Sequence, residues 1–99
     1  MNISVNELKE RLDKGENLHL LDVRNPDEHE IQNLGAKLIP LGDLNDSLDE
    51  IEDWKDEEVI VYCRSGARSG RAQQMMEQNG FSNVRNLTGG MLAWNEMDD

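Results

Sequence analysis

Val59-Ile60-Val61-Tyr62 is apolar at every position. The run is too short for a buried helix, and a strand built from it must be covered on both faces. A sheet with one wet face would show alternation, which this run lacks. It therefore belongs at the centre of a sheet with helices on either side. The mostly apolar residues 18–23 and the short stretch Val84 to Leu87 read as further strands. Helical patterns separate all three, which indicates an α/β domain with a mainly parallel sheet.

The helical segments carry start and stop signals. Ser4 and Glu7 have capping-box spacing, with Ile3 and Leu8 placed as the hydrophobic staple, and Gly15 suits the stop of a helix running to about Lys14. Asn25-Pro26-Asp27 is a turn signal leading into a short helical turn over 28–31, and Leu38-Ile39 is a brief strand ended by Pro40. Leu44, Leu48, Ile51 and Trp54 recur at helical spacing. A helix over 69–79 places Ala72, Met75 and Met76 inward as core filler, and Gly80 ends it. Gly89-Gly90 opens a last helix over 91–97, with Leu92 and Trp94 as its packing residues.

The central strand runs directly into Cys63-Arg64-Ser65-Gly66-Ala67-Arg68-Ser69-Gly70. Free cysteine is often a small buried hydrophobe. Here the next seven residues hold two arginines, two serines and two glycines, which a packed core could not solvate without many partners. A glycine-bearing loop of this kind turns its backbone N–H groups into an anion nest, and the helix N-terminus behind it adds free donors. Together with Arg64 and Arg68 these features favour the thiolate, the nucleophilic form. Cys63 is the candidate nucleophile. Open α/β sheets usually place their sites at this end of a central strand.

At 99 residues the chain, residues 1–99, is expected to form one domain. Its mean hydropathy is −0.75, so a compact core must carry a heavily charged surface. One cysteine leaves no internal disulfide and no thiolate-rich metal cluster. No export signal or membrane span is evident, so the expectation is a soluble cytoplasmic monomer. Net charge is −11, which argues against nucleic acid as a partner. Residues 43–58 hold nine acids and one base. That run reads as a solvated face that aids solubility, the alternative being a docking surface for a basic protein.

Four motifs in order resemble the single-domain rhodaneses of the sulfurtransferase superfamily. Leu20-Leu21-Asp22-Val23-Arg24-Asn25-Pro26-Asp27-Glu28 is similar to the family's N-terminal signature, and Gly35-Ala36 with Ile39-Pro40-Leu41 to the stretch after it. Val61-Tyr62-Cys63-Arg64-Ser65-Gly66-Ala67-Arg68-Ser69 is similar to the active-site segment. Gly80-Phe81, Val84 and Leu87-Thr88-Gly89-Gly90-Met91-Leu92-Ala93-Trp94 match the closing signature. One departure is Gln32-Asn33-Leu34, where many members carry a Gly-His-Ile type segment.

The resemblance implies a rhodanese-like fold, a five-stranded parallel sheet flanked by helices. It also implies storage of a sulfane sulfur as a persulfide on Cys63. Arg64, Ser65, Gly66, Ala67, Arg68 and Ser69 would then bind the substrate, with Arg64 greeting an anionic donor and Arg68 holding the loop or the anion. Gly66 would allow the tight backbone path, and Ser65 and Ser69 would donate to the persulfide or cap the helix. Asp22 and Arg24 read as loop-bracing contacts, and His19 and His29 as surface or packing residues rather than bases. Sulfane transfer protonates no alkoxide, so a missing Cys–His pair is no objection.

No cofactor or metal is implied. The partners expected are a small anionic sulfur donor such as thiosulfate, or a persulfide-bearing protein, and a thiol acceptor. A non-catalytic interaction module and an arsenate- or phosphate-processing thiol enzyme are the alternatives. Four residues separate Cys63 from Arg68, one fewer than in the tyrosine-phosphatase pattern, and the smaller loop fits a single sulfur better than a tetrahedral oxyanion.

Overall fold

The computed structural model describes residues 2–97. Ser4 starts helix α1 (Val5–Asp13): its hydroxyl accepts from the Glu7 N–H at 3.1 Å. The Glu7 carboxylate pairs with Arg85, so Ser4 makes its half of the capping box. Strand β1 (His19–Asp22) leads to α2 (Pro26–Ile31), entered through an Asn25 capping box with Glu28. Strand β2 (Lys37–Leu38), helix α3 (Leu41–Ser47) and a 3-10 segment (Leu48–Trp54) follow. The helical spacing at 44–54 is thus split in two, and the 3-10 segment kinks again at Ile51. Strand β3 (Glu58–Tyr62), helix α4 (Ala67–Gln78), strand β4 (Asn83–Asn86) and helix α5 (Gly90–Glu96) complete the chain.

The sheet has the order β2-β1-β3-β4, with every pairing parallel. It has four strands where the resemblance implied five. At the β4 edge, Ile3 makes a single parallel bridge to Leu87, with its N–H on Asn86 O (3.0 Å) and its C=O accepting from Thr88 (2.9 Å). Ser4 caps α1 at the very next residue, so the chain turns into helix before a fifth strand can extend.

Side chains of β3 alternate between two cores. Val59 and Val61 pack with Leu21, Leu44, Ala72, Met76 and Val84 on the α3–α4 side. Ile60 and Tyr62 pack with Ile3, Leu8, Leu20, Leu87 and Met91 on the α1–α5 side. The strand read as apolar on both faces is buried on both. Leu92 departs from its expected packing role: Met91 takes the buried position on α5, and Leu92 is exposed. No helix among the described residues is long and apolar enough to cross a membrane.

Candidate active site

β3 ends at Tyr62 and α4 begins at Ala67, two residues earlier than the apolar spacing predicts. Cys63 to Gly66 must therefore turn the chain within four residues. Gly66 makes this possible with φ +106°, a left-handed conformation that a side chain disfavours. Gly66, not a serine, occupies the N-cap.

The carbonyls of the loop are drawn outward by α5. Met91 N–H donates to Cys63 O (2.9 Å) and Leu92 N–H to Arg64 O (3.0 Å), so two free donors of that helix's first turn are spent on the loop. With the carbonyls turned away, the N–H groups face the sulfur. Gly66 N lies 3.1 Å from Cys63 Sγ and Ser69 N 3.4 Å, while Ser69 Oγ lies 3.3 Å away. The approach of α5 requires glycine at its first residue. A β-carbon on Gly90 would stand 2.4 Å from Cys63 O and 2.6 Å from Arg64 O.

Cys63 is 1% exposed. Burial pushes its thiol up; the Ser69 hydroxyl and the N–H groups of Ser69, Gly66 and Ser65 pull it down, and the net direction is below the ordinary thiol value. Neither arginine of the loop is among the main causes. Arg68 is held by Glu28 in a two-pronged ion pair (2.8 and 3.0 Å), which lowers the Glu28 carboxyl to about 2. It ties α4 to α2 and has its fork occupied. Arg64 is exposed, and its guanidinium has no partner among the described residues. Ser65 and Ala67 are exposed on the loop's outer side; Ser69 is fully buried beneath it.

Asp22 and Arg24 brace the neighbouring segment rather than the Cys63 loop. Asp22 Oδ1 accepts from Arg24 Nε (2.9 Å) and the Arg24 N–H (3.0 Å), while Oδ2 accepts from Arg24 Nη2 (2.8 Å) and lies 2.9 Å from His29 Nδ1. Burial pushes the Asp22 carboxyl up, and these hydrogen bonds outweigh it to hold it below its usual value. Arg24 also reaches Gln32 O (2.5 Å), and the Tyr62 hydroxyl accepts from the Leu34 N–H (3.1 Å). Burial raises that phenol to about 12. The Gln32-Asn33-Leu34 segment is therefore fastened at both ends. His29 serves this cluster, while His19 stacks on Trp54 and pairs with Glu57. Neither is hydrogen-bonded to Cys63.

Two partners of the loop carry no local signal in the sequence. Glu28 stood in the N-terminal motif as a bare acid, with no signal that it meets Arg68. Asn86, at the end of β4, accepts from Ser69 Oγ through Oδ1 (2.6 Å) and donates through Nδ2 to Gly66 O (3.1 Å). Beside the loop lies a cavity of about 200 Å³ lined by Arg24, Glu28, Ile31, Gln32, Arg64 and α5 residues. Ile31 and Leu92, at its rim, are the exposed large hydrophobic residues of the described chain.

A parallel sheet that holds a thiol against backbone N–H groups at the end of an inner strand defines an α/β domain with a cradled cysteine. The chain belongs to the rhodanese-like domain family, whose model matches residues 4–97. It is 37% identical to the putative sulfurtransferase YtwF of Bacillus subtilis, over 93% of this chain and 87% of that protein. It is 38% identical to the probable adenylyltransferase/sulfurtransferase MoeZ of Mycobacterium tuberculosis over 93% of this chain, which spans about a quarter (24%) of that protein's length. The human single-domain sulfurtransferase TSTD1 superposes with a TM-score of 0.85 at 25% identity, covering 99% of this chain and 97% of that one. Relatives in this family are thus named for sulfur transfer.

Proposed function

We propose that this protein is a sulfurtransferase that carries sulfane sulfur as a persulfide on Cys63. The observation that carries the reading is the convergence of N–H groups and a buried hydroxyl on one thiol, with no base hydrogen-bonded to it among the described residues. That suits a nucleophile that must ionise but need not pass its proton to a leaving alkoxide. The Cys63 thiolate attacks the outer sulfur of a sulfane donor, such as thiosulfate or a persulfide. A bond forms between Sγ and that sulfur, the donor's S–S bond breaks, and its electron pair leaves with sulfite or a thiolate. An acceptor thiolate then takes the outer sulfur and returns the electron pair to Cys63. No cofactor or metal enters either step.

Their positions support roles for the remaining residues. Exposed Arg64 meets the charge of an anionic donor, the Gly66 and Ser69 amides surround the outer sulfur, and the Glu28–Arg68 pair fixes the loop to α2. The names of the relatives support sulfur transfer at this level. Incubation with thiosulfate is expected to add the mass of one sulfur atom, removable by cyanide or a small thiol. Cys63→Ser is expected to lose both adduct and turnover while keeping its circular dichroism. Turnover retained in Cys63→Ser would end the reading. Aryl-phosphatase activity matching sulfur uptake would instead favour the phosphate-processing alternative.

A further inference from the structure

The donors around Cys63 cannot all act at once, because the Ser69 hydroxyl has one proton and two claimants. Ser69 Oγ lies 2.6 Å from Asn86 Oδ1 and 3.3 Å from Cys63 Sγ. The Asn86 amide cannot turn over to relieve the conflict. Its other end faces the Gly66 carbonyl at 3.1 Å, and a carbonyl accepts only, so nitrogen must stand there and oxygen must face Ser69. Oδ1 in turn accepts only. With the proton given to Asn86, Ser69 offers a lone pair to the sulfur, which is a hydrogen bond only while the sulfur bears a proton. With the proton given to a thiolate, two acceptor oxygens are left face to face at 2.6 Å in a site where Ser69 is fully buried.

We propose that Asn86 is a positioning residue that sets the direction of the Ser69 hydroxyl, and through it whether Cys63 Sγ receives a hydrogen bond or must donate one. Ser69 is a two-position rotor. It points to Asn86 when Sγ is a thiol, and to Sγ when it is a thiolate. The inference rests on Cys63 being the sulfur carrier for its use in turnover. Once sulfur is transferred, the charge moves to the outer sulfur and Sγ becomes divalent and neutral, so the rotor can return to Asn86. Asn86 thereby weakens the free thiolate relative to the loaded state and favours loading.

The test reads the proton on Cys63 and is independent of sulfur uptake. In Asn86→Leu the Ser69 hydroxyl is released to the thiolate, so the midpoint of iodoacetamide alkylation against pH is expected to fall by about one unit, a tenfold rise in thiolate fraction below the midpoint. A purely structural role predicts the opposite sign. Loss of the Asn86–Gly66 bond would loosen the amides around sulfur and raise the midpoint. Gly66 O retains the Gly70 N–H (2.9 Å), so the first turn of α4 keeps its anchor. In the Ser69→Ala background, adding Asn86→Leu is expected to leave the midpoint within about 0.2 units, since the rotor is gone.

A second measurement needs no Asn86 variant. Cys63 is the sole thiol, so the infrared S–H stretch of the unmodified protein at acid pH belongs to it alone. The proposal expects a hydrogen-bonded S–H band that shifts to the free-thiol position in Ser69→Ala. A raised or unchanged midpoint in Asn86→Leu, or a free S–H band in the unmodified protein, would overturn the proposal whether or not sulfur is taken up.

Discussion

Gly90→Ala concentrates the geometry of the site into one added carbon. The new β-carbon would lie 2.4 Å from Cys63 O and 2.6 Å from Arg64 O, backbone atoms that cannot swing aside as a side chain would. Gly90 also has φ +56°, and the left-handed region costs a residue with a β-carbon roughly 1–2 kcal/mol. Relief of the clash requires α5 to withdraw, which breaks the Met91–Cys63 and Leu92–Arg64 hydrogen bonds. At about 0.5–1.5 kcal/mol each, their loss brings the total to roughly 2–5 kcal/mol. Domains are stable by only about 5–15 kcal/mol, so this is a large share. At about 4–8 °C per kcal/mol for a domain of this size, Tm should fall by at least about 8 °C. The released carbonyls also let the loop's peptide planes rotate, so the alkylation midpoint of Cys63 should rise. Differential scanning calorimetry measures the first effect and pH-dependent alkylation the second. Gly42→Ala is the control: it lies in α3 with nothing within 4 Å of the added carbon, and the better helix former should stabilise by roughly 0.5–1 kcal/mol. A Gly90→Ala protein melting within about 2 °C of the unmodified chain would refute the reasoning.

Other outcomes test the surroundings of the loop. Asp22→Ala leaves Arg24 buried without its counter-ion and should destabilise by roughly 3–5 kcal/mol in urea titration; an unchanged midpoint would mean that water replaces the carboxylate. Glu28 has its folded value lowered to about 2 from an ordinary 4.5 by Arg68, so its contribution is present above pH 4.5 and lost as pH falls toward 2. Both side chains are partly exposed, which reduces that contribution to roughly 1 kcal/mol. Glu28→Gln should therefore be less stable at pH 6 and converge with the unmodified protein near pH 2, and a constant gap across that range would contradict the linkage. Arg64→Gln should raise the thiosulfate concentration at half-saturation about tenfold, the equivalent of ~1.4 kcal/mol, with Tm almost unmoved; unchanged saturation would remove Arg64 from donor binding.

Much of the architecture was readable because its signals are local. The apolar run at 59–62, the Ser4 cap on α1, the proline entry to α2 and the glycine pair at the start of α5 each act within a few residues, and all recur in the fold. The elements that misled also have local causes. Leu44 to Trp54 kept helical spacing across a segment that changes from α to 3-10 geometry, since apolar spacing does not distinguish the two. The fifth strand was an expectation carried by resemblance, and the cap at Ser4 left room for one bridge at Ile3. Leu92 looked like a packing residue because spacing does not say which neighbour on a short helix takes the interior.

The thiol, its loop and the strand beneath it are written into adjacent residues, because a strand, a left-handed glycine and a helix start are set by their immediate neighbours. What surrounds the sulfur was decided by tertiary structure alone. Glu28 meets Arg68 across 40 residues, and Asn86 meets Ser69 across 17, because parallel strands β1, β3 and β4 bring their C-terminal ends to one edge. Donor and acceptor counts then settle the rest. The Gly66 carbonyl orients the Asn86 amide, the amide claims the Ser69 proton, and that competition exists only once the strands have been laid side by side.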